Sequence, residues 1–126
     1  MSLELVMNAD GAIDHASGSP ISGGVFVITA TPSGTCEAVG KGVYRGNFTY
    51  TFSGGDAVGY DTGSIATAVA QIIVPTAAFV RADGSLVIRL GDSGTMAAKG
   101  TISGVSSDIS GPVEVSDAGQ SEVKAQ

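Results

Sequence analysis

Apolar and polar positions alternate along most of this chain, with turn residues between the runs. Leu3, Leu5 and Met7 alternate with Glu4 and Val6, which predicts a strand with one apolar face over 3–7. The "NADG" that follows breaks it. Residues 18–24, "GSPISGG", read as a turn or loop. "VFVITAT", 25–31, is rich in β-branched residues and predicts a strand that closes at "PSG". "CEAV", 36–39, is long enough for a short strand. In "GKGVYRGNFTYTF" the rings of Phe48, Tyr50 and Phe52 fall on one face and Asn47, Thr49 and Thr51 on the other. These rings form either core or an interface, since aromatic side chains dominate both.

Further along, "AVGYD", 57–61, predicts another short strand. The stretch 64–74, "SIATAVAQIIV", is open between a helix capped by Ser64 and a loop leading to a strand at 69–74. The β-branched residues favour the strand. Residues 77–90 carry two apolar runs around Asp83-Gly84, a turn pair that tolerates positive φ, and predict a hairpin. Beyond Gly91 the pattern weakens, and "GTISGV" and "GPVEV" predict only short strands. The sum is an all-β chain: a small single-domain β-barrel or β-sandwich of short strands with Gly-rich turns. Residues 1–10 read as an N-terminal arm or edge strand and 11–115 as the β domain. Residues 116–126 read as a polar, mobile tail.

Composition agrees with that class. The chain has 126 residues, enough for one domain, with 19 glycines and no tryptophan, and 43% of it is hydrophobic, too much for a disordered chain. Twelve acidic residues against six basic ones leave a net charge of −6. No three of Lys41, Arg45, Arg81, Arg89, Lys99 and Lys124 are adjacent, so there is no basic stripe to displace counterions, which argues against nucleic acid as a partner. "MSLELVMNADG" lacks the features of a secretion signal, and the charge-free run 62–80 is too polar to span a membrane. The lone Cys36 can form neither an internal disulfide nor a multi-cysteine zinc site.

Several strings hint at chemistry. Gly91-Asp92-Ser93-Gly94 matches the tetrapeptide around the nucleophile of chymotrypsin-like proteases, with His15 the sole histidine and Asp56 or Asp61 as a third member. The chain is about half the length such an enzyme needs, and the flanking residues differ. A turn bonded by Asp92 and Ser93 is the simpler reading. "GTCEAVGKG", 34–42, has the wrong spacing for a phosphate loop, and Gly42 replaces the magnesium-binding hydroxyl. Asn47-Phe48-Thr49 is a glycosylation sequon within a predicted strand. Asp14-His15 supplies at best half a metal site. Asp56 and Asp61 read as strand ends rather than an acid/base pair. These readings predict no enzyme activity, no cofactor and no metal.

One ordered pattern remains. "GAIDHASGSPISGGVFVI" is a polar start followed by a Gly/Ser spacer and a β run. "GVYRGNFTYTFSGGDAVGYDTG" then carries Gly-Asp, Val, an aromatic and Asp. "ADGSLVIRLGD" closes with a Val/Ile/Arg/Leu strand. Over roughly residues 11–92 this succession resembles the capsid decoration (cement) proteins of tailed phages. It departs from them at Gly59 and at Pro75-Thr76, and residues 93–126 have no counterpart. The resemblance implies a structural protein of the virion, made in the host cytoplasm and bound to the outer capsid surface. Its partners would be the major capsid protein and its own copies, as a homotrimer. Leu3, Leu5 and Met7 would serve as an added strand, or pair within their own domain. Phe48, Tyr50 and Phe52 would pack at a trimer axis, or in the core. Two other readings stay open: a tail- or fibre-associated β module, and a cell-surface adhesive β domain.

Overall fold

The computed structural model describes residues 3–126. They contain no helix, and the chain is all-β as its patterning predicts. Twelve strands occur in order: β1 (Glu4–Leu5), β2 (Ala12–His15), β3 (Ser22–Ile28), β4 (Glu37–Ala38), β5 (Lys41–Gly42), β6 (Phe48–Asp56), β7 (Gln71–Ile73), β8 (Arg81–Ala82), β9 (Ser85–Leu86), β10 (Ser93–Ile102), β11 (Val105–Asp117) and β12 (Lys124–Ala125). Two three-stranded sheets, β3-β6-β7 and β10-β11-β2, enclose the larger core. Three two-stranded pieces, β1-β12, β4-β5 and β8-β9, surround a smaller one.

The aromatic period of two does what it predicts. Phe48, Tyr50 and Phe52 point inward from β6 and are 0%, 0% and 2% exposed. They pack with Met7, Ile73, Met96 and Val113, and Tyr44 meets Phe48 edge-on with ring centroids 4.8 Å apart. Burying each such ring contributes about 1.5–3 kcal/mol. The Phe52 ring needs space that only glycine leaves. A Cβ on Gly24 would lie 2.5 Å from Phe52 Cζ, and one on Gly55 would lie 2.4 Å from its Cε2. Gly24 has φ +75° and sits opposite Gly54, φ +73°, where β3 and β6 bend around the ring.

Several segments differ from expectation. The 18–24 loop gives way at Ser22, where β3 begins. "AVGYD" is a loop rather than a strand, because Gly59 and Gly63 both adopt positive φ. That loop clamps the neighbouring hairpin: Tyr60 Oη donates to Asp108 O at 2.7 Å. Between 64 and 74 there is no helix. Ile65 and Ala66 bridge to Gly55 and Lys99, and only Gln71–Ile73 forms a strand. The 77–90 hairpin is cut to two residues a side around Asp83-Gly84. Its second arm then leaves to bridge Arg45 through Val87 and Val6 through Arg89.

The largest differences lie at the ends. β10 and β11, ten and thirteen residues long, form the longest hairpin, where the sequence predicts short strands. Met96, Ala98, Val113 and Val115 face its inner side. Residues 116–126 are packed on the body rather than extended as a tail. Ala118 and Ala125 are buried, and Gln120 Nε2 donates to Val6 O at 2.7 Å. Polar residues hold this segment through specific bonds, so hydropathy does not reveal it. The N-terminal strand pairs within its own domain. β1 pairs with β12, and Leu90 N donates to Leu5 O at 2.7 Å. Met1 and Ser2, part of the expected 1–10 arm, lie outside the described residues.

Candidate interaction surface

The geometry separates the members of the hinted triad. Ser93 pairs with Glu114, while His15 pairs with Val113, both across the sheet β10-β11-β2. Adjacent register positions point to opposite faces, so Ser93 and His15 face away from each other, two strands apart. The His15 ring turns inward between Phe26 and Phe52, at 4.9 and 5.2 Å between centroids. Its Nε2 donates to Gly23 O at 2.8 Å, which fixes the tautomer and links β2 to the start of β3.

Asp92 is a buried turn residue. Its carboxylate accepts from the Thr76 hydroxyl and from Arg89 N at 2.8 Å, and its carbonyl accepts from Val115 N at 2.8 Å. Arg89 continues the network, donating to Thr76 Oγ1 and Ala125 O at 3.0 Å each. The phosphate-loop-like string is the β4-β5 hairpin, turned by Val39 and Gly40 at positive φ. Asn47 of the sequon lies exposed in a bend just before β6.

The two loop carboxylates also bind backbone. Asp56 Oδ1 accepts from Gly63 N at 2.7 Å. Asp61 closes the β10-β11 turn, accepting from Thr101 Oγ1, Ser103 N and Gly104 N at 2.6–3.1 Å. The Thr101 hydroxyl foremost, then the Gly104 and Ser103 N–H groups, hold its carboxyl below the usual range. Among the described residues no group of three His, Cys, Asp or Glu side chains converges where a metal could bind.

What the surface does offer is uncharged β structure. The outer face of β3-β6-β7 presents Val25, Val27, Thr49, Thr51 and Ile72, with Val25 61%, Val27 53% and Ile72 44% exposed. Among these strands only Asp56, at the end of β6, is charged. On the neighbouring hairpin a shallow groove of about 700 Å³ is lined by Ala68, Val69, Ala97 and Ile109, with the Lys99–Asp108 ion pair at its rim. The apolar tip of that hairpin exposes Ile102 and Val105.

The residues that the sequence offers for interaction divide. Met7, Phe48, Tyr50 and Phe52 are core residues, so the ring stripe takes the core alternative. Leu3 is exposed and Leu5 half-buried beside β12. The apolar face expected on 3–7 is split, because Val6 enters the smaller core and Met7 the larger. Sequence reasoning passed over Val25, Val27 and Ile72 as ordinary strand residues. The two charge-free runs around them, 16–36 and 62–80, were the available signal. No family model matches this chain, and no curated protein and no solved structure matches it.

Proposed function

We propose that this protein is a non-enzymatic structural component of a phage virion, a decoration protein that binds the outer capsid surface and stabilises the shell where capsomers meet. The observation that carries this reading is the uncharged outer face of β3-β6-β7, with Val25, Val27 and Ile72 exposed on a chain of net charge −6. Shells packed with DNA fail at their seams. A protein bound across a seam opposes separation, because separation breaks its contacts. Linked copies can do this with modest individual contacts, since linkage raises effective concentration. The polar groups hinting at catalysis are instead committed to turns: Asp92 to Arg89 and Thr76, Asp61 to the hairpin cap.

Co-sedimentation with isolated capsids tests the proposal. The native protein should pellet with shells, and Ile72→Lys, which puts a charge on the exposed face, should weaken that binding at least tenfold. Native protein left in the supernatant at excess would defeat the reading.

A further inference from the structure

The outer edge of β3 is an open row of backbone hydrogen-bonding groups. Thr29 N donates to Thr49 O, and Thr67 N donates to Phe52 O on the far side of β6. With the β3-β6 register, this sets the direction of every group in the ladder. Val25 and Val27 bond to β6. Phe26 and Ile28 therefore turn their N–H and C=O outward, and none of the described hydrogen bonds reaches them. Such edges are ordinarily blunted by Lys, Pro, inward charges or bulges. Here the bend at Gly24 and the ring of Pro32 bound the edge, and 25–29 carries no such guard.

We propose that this edge pairs with the same edge of a second copy, β3 against β3 about a two-fold axis through Val27. Three observations select a copy of this chain. First, a net charge of −6 makes two copies repel over most of their surface. Residues 16–36 carry no charged side chain, so the copies meet here without opposing like charges. Second, one register satisfies both open residues. Phe26 opposite Ile28 of the copy, with Ile28 opposite its Phe26, makes four hydrogen bonds. Shifting two residues one way requires Gly24, whose φ of +75° departs from extended backbone and bends β3 there. Shifting the other way requires Ala30, whose N–H already donates to Thr49 O. Third, the side chains match. Val27 meets Val27, and Val25 meets Thr29, on the exposed face. Half-buried Phe26 and Ile28 meet on the inner face. The sheets join as β7-β6-β3-β3-β6-β7. The product is a dimer, in place of the trimer that the family resemblance implies. The contact is argued from the edge of β3 and not from the capsid reading, although Val25 and Val27 also lie on the face proposed to meet the capsid.

Val27→Cys in a Cys36→Ser background tests the register. A non-hydrogen-bonded antiparallel pair has Cα atoms about 4.5 Å apart, within the range a disulfide spans. Under mild oxidation Val27→Cys should give a covalent dimer. Thr29→Cys alone, facing Val25 of the copy, should not. The native chain should sediment as a dimer. Val27→Lys, which sets two ammonium groups face to face, should sediment as a monomer with native circular dichroism, and its Tm should lose the concentration dependence that association gives the native dimer. A native monomer at all concentrations with uncrosslinked Val27→Cys would overturn the proposal. So would an oligomer indifferent to Val27→Lys. If the native chain is monomeric at all concentrations, the second-copy proposal fails whatever Val27→Lys does to capsid binding, because Val27 also lies on the face proposed to meet the capsid. A dimer that ignores capsids would leave this contact standing and remove the decoration reading.

Discussion

The two cores of this molecule are built by different means. The larger is made by strands of up to thirteen residues whose alternate side chains meet as rings and aliphatics: Phe48, Tyr50, Phe52, Ile73, Met96 and Val113. The smaller gathers Ala38, Ala82 and Ala125 from strand pairs two residues long, Val6, Val43 and Val87 from single bridges beside them, and Ala77 from a loop. Such short ladders and small side chains bury little area. Polar links hold them in place: Arg89 to Ala125 O, Gln120 to Val6 O, and Arg45 to Asp83 at 2.9 Å. Apolar area stabilises the first region; connectivity shapes the second.

Substitutions should expose that contrast. Phe48→Ala removes a fully buried ring that meets Tyr44 edge-on, and should cost about 3–5 kcal/mol. Chemical denaturation would measure it. In the smaller region the comparable loss should come from a polar residue. Asp92→Ala leaves the Arg89 and Thr76 donors without their acceptor and should cost about 2–3 kcal/mol. Hydrogen exchange would show whether the damage stays local. The amides of Val6, Ala78 and Val87 should lose protection while those of β6 keep it. Equal loss in both regions would erase the distinction.

Tyr50 offers a smaller effect of opposite sign. Its hydroxyl is buried and has no partner among the described residues, and burial pushes its pKa up to about 12. Tyr50→Phe should raise stability by about 1 kcal/mol, since a desolvated, unpaired hydroxyl is removed. The raised folded pKa means the stability is complete below the ordinary tyrosine value of 10.0 and is lost as pH rises toward 12. The variant should therefore show a shallower alkaline loss of Tm. Asp61 works the other way. Its lowered pKa makes its contribution present above the ordinary value of 3.8 and lost as pH falls below it. Asp61→Asn should lower Tm slightly at neutral pH and flatten the acid limb of the profile, so that the two proteins converge at low pH.

The same contrast explains what could be read from the sequence. Phe48, Tyr50 and Phe52 declare their face because three rings repeat at the period of a strand. Asp83-Gly84 declares its turn because few pairs tolerate positive φ. The β10-β11 hairpin hid because its inner side uses Ala98, Gly100 and Gly111 where strands usually carry larger residues. Ser103-Gly104, between Ile102 and Val105, was its one local sign. Residues 116–126 looked like a tail because Gln120, Asp117 and Lys124 are polar. Their bonds reach residues more than a hundred positions away, which no local pattern encodes. The exposed valines of β3 were read as strand but not as surface. Which side of a strand lies open depends on where the chain's other strands go.

The most direct test of the account is the temperature at which DNA-filled capsids rupture, followed by calorimetry with and without the native protein. Bound copies should raise that temperature, and Ile72→Lys should return it toward the value for bare shells. An unchanged rupture temperature at saturating native protein would contradict the central claim that this chain is a clasp for larger bodies.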